Sequence, residues 1–374
     1  MELVRAIGLM SGTSMDGIDV ALVETDGIRV ARRGPYLSVP YDPALRRAVE
    51  AGLKDAQAIT ERSQRPGSLA GLEQDLTLRH AQAVRAFLGE HAIPADSIGA
   101  LGFHGQTVLH RPEKALTVQI GDGALLARET GIPVVFDMRA NDMVHGGQGA
   151  PLVPIYHQAL AASLPPALEP GFRPVAFVNI GGIANVTFVA AGQPPVAFDC
   201  GPGNALIDQW VEKTAGIPFD DGGRIAGEGM ADETVVSRYL SSPFFAKAGP
   251  KSLDRGDFAL DFVEGMELSD GAATLAAVTA RSIIKSAEKV PVPPALWIVS
   301  GGGARNGAIM DLIRQTAGPD AKVVMAGEAG LNADMMEAEA WAYLAVRSLK
   351  GLALTFPTTT GCRKPVSGGI LAQP

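Results

Sequence analysis

The sequence has little cysteine, few aromatics, no surplus of basic charge and no long apolar run. Two cysteines, Cys200 and Cys362, in 374 residues exclude a disulfide framework, and neither has metal-ligand spacing around it, so a reducing compartment is expected. The net charge of −8, with no basic stripe interleaved with aromatics, argues against a nucleic-acid partner. No uninterrupted apolar stretch approaches the ~20 residues of a membrane span. No charged segment leads into an apolar signal core, so the expectation is a cytoplasmic protein that does not engage a membrane. The pattern GxxxxGK[ST] is absent too, which argues against a P-loop protein.

What is present is apolar residues and glycine. At 374 residues, 47% of them apolar, the chain can build two domains of ordinary size. Its organising stretch is residues 8–19. An apolar run ending at Ile7 leads in and a second, from Ile18 to Val23, leads out. Between them stand Gly12, Thr13, Ser14, Met15, Asp16 and Gly17, followed by Ile18 and Asp19. The spacing predicts strand, tight turn, strand. Glycines there would bring backbone N–H groups close to a bound phosphate, with Thr13 and Ser14 adding hydroxyls. An ordinary hairpin turned by Asp16-Gly17 is the other reading. The layout recurs at residues 175–189 around Gly181 and Gly182. A third cluster, Gly301, Gly302 and Gly303, follows an apolar run and precedes a helical pattern. Two strand hairpins and one strand-glycine-helix turn suit a nucleotide gripped by two related lobes.

Further elements follow in order. Residues 3–39 read as a three-strand meander. Asp42-Pro43 opens a helix, and residues 69–91 form a long amphipathic one. A buried strand over residues 98–103 is expected to end at His104, a position open to either a ligand or a core-edge role. After a strand over residues 132–136 comes a glycine-rich, charged stretch with Arg139 and Asp142, read as a substrate loop or a linker. The third strand of the second meander is expected to end at Asp199. Asp199 is either a catalytic carboxylate or a helix cap, and Asn204 is better placed for the cap. Lys251 and Arg255 are candidate phosphate contacts or solvated charges. Residues 334–349 read as a helix on which Glu337 and Glu339 point to different sides, and a glycine-rich tail, Thr358 to Gly369, ends the chain.

Together these motifs resemble one family. MSGTSMDGID, FHGQT, VQIGD, GGQGAPLVP, NIGGIANV, FDCGPGN, GGGARN and MEAEAWA occur in the order seen in the anhydro-N-acetylmuramic acid kinases, from residue 7 to residue 369. MSGTSMDG and FDCGPGN are the specific ones. Met138 stands where that family often has Phe, and Gly256 where an acid is common. The resemblance implies an α/β fold of two actin-like ATPase (ribonuclease H-like) lobes, each a mixed sheet flanked by helices, with a cleft between them. The expected lobes are residues 1–136, joined by a tail of about 355–374, and residues 137–354. It also implies an ATP- and Mg²⁺-dependent kinase acting on 1,6-anhydro-N-acetylmuramic acid, and a possible homodimer. By match, Gly12 to Asp19 form the ATP phosphate loop, completed by Gly181, Gly182 and Gly301 to Gly303. Asp199 becomes the general base. Arg139 and Glu337 become sugar ligands, with His104 and Asp142 beside them. Two rivals remain open: another sugar kinase of this superfamily, and an Hsp70-like or actin-like nucleotide switch.

Overall fold

A computed structural model describes every residue except Met1, Thr13, Ser14, Pro170, Phe172 and Arg255. The chain divides into two compact units, one built from Met1–Ser163 with Asp334–Pro374, the other from Leu164–Ala333.

The first unit opens with the expected meander, β1 (Val4–Ser11), β2 (Gly17–Thr25) and β3 (Val30–Pro40), antiparallel throughout. Both faces of β1 and β2 are covered, so they read as nearly unbroken apolar runs. The outer strand β3 alternates and is half exposed. Helix α1 (Pro43–Asp55) begins where Asp42 accepts the N–H groups of Ala44 and Leu45, with Pro43 in the first turn. Helix α2 (Leu69–Glu90) buries Leu72, Leu76, Val84 and Phe87. Then follow β4 (Ala100–Arg111), β5 (Leu116–Ile120), α3 (Gly123–Thr130), β6 (Val134–Phe136), α4 (Ala140–Val144) and α5 (Pro154–Ala161). Strand β4 is twice its expected length. Gly105, at φ +70°, lets the chain step within the strand, and Gln106 to Arg111 then pair with β5.

The second unit repeats the plan. A meander of β7 (Val175–Ile180), β8 (Ile183–Val189) and β9 (Val196–Pro202) is followed by α6 (Ala205–Ala215), α7 (Arg224–Glu228), α8 (Glu233–Leu240), α9 (Pro243–Ala246) and α10 (Leu268–Lys285). Strand β10 (Leu296–Ser300), α11 (Gly307–Thr316) and β11 (Lys322–Met325) complete it. The sheet order is β11-β10-β7-β8-β9, with β10 parallel to β7. Trp210, Trp297, Val278 and Ile309 lie in its core.

The chain then returns to the first unit as α12 (Met336–Leu349), α13 (Pro357–Thr360) and β12 (Ile370–Ala372). Its sheet runs β12-β6-β4-β1-β2-β3, with β5 attached to β4. The boundaries therefore fall at 163/164 and 333/334, where the sequence suggested 136/137 and 354/355. The reason is packing. A Cβ on Gly8 would lie 1.8 Å from the carbonyl oxygen of Ala338, and one on Gly102 2.0 Å from that of Trp341. The backbone of α12 thus rests directly on β1 and β4. Tyr156 of α5 donates to Glu339 of α12 at 2.7 Å, which holds α5 in the same unit. In the tail, β12 pairs antiparallel with β6. In each unit a meander gains parallel strands at the edge of its first strand, the mixed-sheet, helix-flanked arrangement expected of actin-like lobes.

Candidate active site

In the first unit, β1 ends at Ser11, fully buried. The Met15 N–H donates to the Gly12 carbonyl at 3.2 Å, and Met15 itself sits at φ +53°. A methionine in the left-handed region is strained, which marks a turn fixed by its surroundings. The Tyr41 N–H holds the Asp16 carbonyl at 2.9 Å. Thr13 and Ser14, named as hydroxyl donors, lie outside the described residues. The Ile18 side chain is buried in the core, so only its backbone is available to a ligand. Gly17 passes so close to β3 that a Cβ would lie 2.6 Å from the Val39 carbonyl. Asp19, opposite Met10 in the hairpin, accepts the Ser38 hydroxyl at 2.5 Å. Burial raises its carboxyl, and the charges of Asp16 and Asp334 push the same way against the Ser38 bond.

Behind this turn lies a polar cluster. Arg139 follows β6 and is half-buried. Its Nε and Nη2 groups donate to His104 Nε2 at 3.4 and 3.2 Å, and its Nη1 to the Gly149 carbonyl at 2.9 Å. Its guanidinium lies 5.1 Å from the Trp341 ring centroid. A guanidinium has five N–H donors, so two remain, one on each Nη. Burial lowers the Arg139 pKa to about 10, with Glu337 and Asp142 opposing, so it stays cationic at neutral pH. Glu337 stands on the solvent-accessible side of α12. Loss of hydration raises its carboxyl, and Arg139 pulls it back. Glu339 instead turns inward to Tyr156, as the helical spacing required.

Two of the sequence candidates are placed otherwise than expected. Asp142 is buried in α4, and its carboxylate accepts the Gly149 N–H at 2.7 Å and the Thr355 and Thr360 hydroxyls at 2.6 Å each. It is a brace inside the unit, because a carboxylate with three protein donors at this depth presents little to a substrate. His104 is buried as well, with Nδ1 3.2 Å from the Ser11 carbonyl and Nε2 facing Arg139. Both ring nitrogens are engaged by protein. Trp341 and Gln106 escaped the residue-level reading. The signal was available, since Trp341 lies four residues after Glu337 on the same helical face and Gln106 lies inside FHGQT.

In the second unit, Asp199 lies within β9, not at its end, opposite Asn185. Its N–H donates to the Lys251 carbonyl at 3.0 Å, and the Leu253 N–H donates to Oδ2 at 2.8 Å. Burial raises the Asp199 pKa to about 6, helped by Asp254 and resisted by the Leu253 bond. A carboxylate held by one backbone donor and poised near neutral pH can act as a general base. It is not a helix cap, and Asn204 makes no side-chain capping bond to α6 either.

Three glycine stretches meet around Ile180 and Asn204. The N–H groups of Gly203 and Asn204 donate to the carbonyls of Gly182 and Gly181 at 3.0 and 2.8 Å. A Cβ on Gly303 would lie 2.2 Å from Ile180 Cγ2, and one on Gly301, at φ +83°, 2.5 Å from Asn179 Oδ1. A Cβ on Gly302 would meet Asn204 Nδ2 at 3.4 Å, an ordinary contact. The sequence-predicted glycines of this unit therefore form one patch of bare backbone. Lys251 is not directed to it. Its Nζ donates to the Phe244 carbonyl at 3.0 Å and sits 4.2 Å from that ring's centroid. Arg255 lies outside the described residues. Among the described residues, no three His, Cys, Asp or Glu side chains are grouped to hold a metal ion, and no helix is long and apolar enough to cross a membrane.

Two meander sheets, each with a glycine hairpin after its first strand and parallel strands added at that strand's edge, define a class, the proteins of actin-like fold to which sugar kinases belong. Within that class the chain belongs to the anhydro-N-acetylmuramic acid kinase family, whose profile matches residues 4–373. It is 57% identical to the anhydro-N-acetylmuramic acid kinase of Brucella canis over 374 residues, covering 100% of both chains. It is 55% identical to the kinase of the same description from Agrobacterium fabrum, covering 100% of this chain and 99% of that one. Solved structures are more distant. The component A of (R)-2-hydroxyglutaryl-CoA dehydratase from Acidaminococcus fermentans aligns at 12% identity and a TM-score of 0.43, over 92% of this chain and 99% of that one.

Proposed function

We propose that the protein cleaves the 1,6-anhydro ring of 1,6-anhydro-N-acetylmuramic acid with water and transfers the γ-phosphoryl group of ATP to O6. The products are N-acetylmuramic acid 6-phosphate and ADP, and the reaction serves cytoplasmic recycling of peptidoglycan. The observation that carries this reading is the Asp199 carboxyl, raised to about 6 and oriented by a backbone N–H. Cleaving a glycoside ordinarily takes two carboxyl groups, a base for water and an acid for the leaving oxygen. Here the leaving oxygen is also the phosphoryl acceptor. As the C1–O6 bond breaks, the electron pair on O6 takes up the phosphoryl group, so no protein acid is required. One carboxylate suffices, and Asp199 accepts the proton of the water that attacks C1.

Arg139 and Glu337 are the sugar ligands in this reading. The two remaining Nη donors of Arg139 suit the lactyl carboxylate of the muramic acid. Gly12 to Asp19 and the glycine patch of the second unit serve the nucleotide, offering backbone N–H groups and no Cβ atoms to obstruct close approach. Mg²⁺ fits the acidic side of the hairpin, because burial raises the Asp19 carboxyl and the charges of Asp16 and Asp334 add to it, and a cation offsets both. It would retain its waters and be held through Asp16 and Asp19, neutralising phosphate charge.

The test is mass spectrometry of the product formed from Mg·ATP and the anhydro sugar in ¹⁸O-water, with the anomeric carbon trapped promptly. One ¹⁸O at C1 in the phosphosugar, with no product from Asp199→Asn, is the expected result. ADP formation with an ordinary sugar and no turnover of the anhydro sugar would leave only a kinase of another specificity.

A further inference from the structure

The central part of β4 reaches both the phosphate-loop hairpin and the arginine assigned to the sugar. Ser11 Oγ donates to the Gly105 carbonyl at 2.9 Å, and Gln106 Nε2 donates to the Gly12 carbonyl at 3.0 Å. Between these bonds His104 sits buried, its ring 4.6 Å from that of Trp341. Its protonation pattern follows from its partners. Nδ1 faces a carbonyl, which can only accept, so Nδ1 carries the proton. Nε2 faces the Arg139 guanidinium, which can only donate, so Nε2 is the acceptor. Burial and the Arg139 charge lower the His104 pKa to about 3, which keeps the ring neutral in this one tautomer.

We propose that His104 is a positioning residue that registers Arg139, through Nε2, against the Ser11 carbonyl at the start of the nucleotide loop, through Nδ1, with Gln106 holding the next carbonyl. It does not bind the sugar. This rests on the reading of residues 12–19 as the nucleotide loop and of Arg139 as a sugar ligand. Its consequence is that the sugar-side cation and the nucleotide loop share one rigid support. Arg139 keeps two of its five donors because His104 and Gly149 fix the other three, and a guanidinium so fixed loses less freedom when it binds an anion.

The two nitrogens can be separated by substitution. Asparagine places an amide near Nδ1 and keeps a donor for Ser11 while removing the acceptor for Arg139. Glutamine reaches toward Nε2, keeping an acceptor for Arg139 while removing the donor to Ser11. His104→Asn should raise the sugar KM about tenfold with ADP affinity within about threefold of the parent, the size expected for one lost buried hydrogen bond. His104→Gln should show the reverse, with ADP affinity by calorimetry down about tenfold and the sugar KM little changed. Thermal midpoints of both variants check that the difference is not one of folding. Equal loss of sugar KM in both variants, with ADP affinity unmoved, would make His104 a direct sugar ligand and overturn the proposal. The calorimetric arm needs no sugar, so equal ADP affinity in the two variants overturns it whatever the substrate. Failure of the parent enzyme to turn over the anhydro sugar would instead count against the proposed function.

Discussion

In the proposed reaction Asp199 bears on turnover and on stability with opposite signs, and both can be measured. As a base it must be ionised, so kcat should rise with pH through about 6 and level off above it, in proportion to the carboxylate fraction. As a buried acid whose folded pKa lies above its unfolded value near 3.8, it favours the folded state only when protonated. The folded protein binds more protons than the unfolded between those two values, so this contribution is complete below about pH 4 and lost as the pH climbs through about 6. Removing the charge removes the loss, on the order of 3 kcal/mol by the linkage of pKa to free energy. Asp199→Asn should therefore abolish turnover yet melt a few degrees above the parent at pH 7.5, and the gap should close when both are melted near pH 4. Calorimetry at the two pH values checks it. An Asn variant less stable than the parent at pH 7.5 would mean that the Leu253 N–H bond to a charged acceptor outweighs desolvation.

At the level of elements, α12 has the least room to move. Gly8 and Gly102 are not turn glycines, since both lie inside strands and serve only to let the backbone of α12 approach. Gly102→Ala would place a methyl carbon 2.0 Å from the Trp341 carbonyl oxygen, and the helix must lift. Overpacking of this kind costs about 1–3 kcal/mol, and Trp341 and Glu337 ride on the same helix. The expected outcome is a lower melting temperature together with a raised sugar KM, read by steady-state kinetics at a temperature where the variant remains folded. This element also shows what the sequence could reveal. Its helical character and the division of Glu337 from Glu339 were legible, because periodicity of 3.6 is a local property. Its place on β1 and β4 was not, because partners as distant in sequence as Gly8 and Ala338 or Gly102 and Trp341 leave only two unexplained strand glycines as a trace. His104 and Asp142 were expected beside the sugar, and both are instead buried against protein partners. What occupies their polar atoms, a guanidinium for one and two threonines of the tail for the other, depends on tertiary contact that no spacing encodes. The glycine hairpins were legible because a tight turn and close backbone approach restrict the residue type at the turn itself.

Across the whole molecule, the path of the chain makes the two units unequal in how they can fold. Residues 164–333 are continuous and contain a complete five-stranded sheet with its own core around Trp210 and Trp297. The other unit is interrupted. Without residues 334–374 it loses α12 from the face of β1 and β4, the Thr355 and Thr360 hydroxyls that satisfy Asp142, and β12 from the edge of β6. A buried carboxylate stripped of two donors and a sheet face stripped of its helix are each costly. Expressed alone, residues 164–333 should give dispersed amide signals and a cooperative thermal transition. Residues 1–163 alone should not, and adding 334–374 through a short glycine-serine linker should restore them. The linker experiment separates topology from size, because it returns the missing elements without the intervening unit. If residues 1–163 folded cooperatively without the returning segment, α12 would be a late addition to a self-sufficient sheet. The strand glycines beneath it would then matter for placing Trp341 and Glu337 rather than for the stability of the unit.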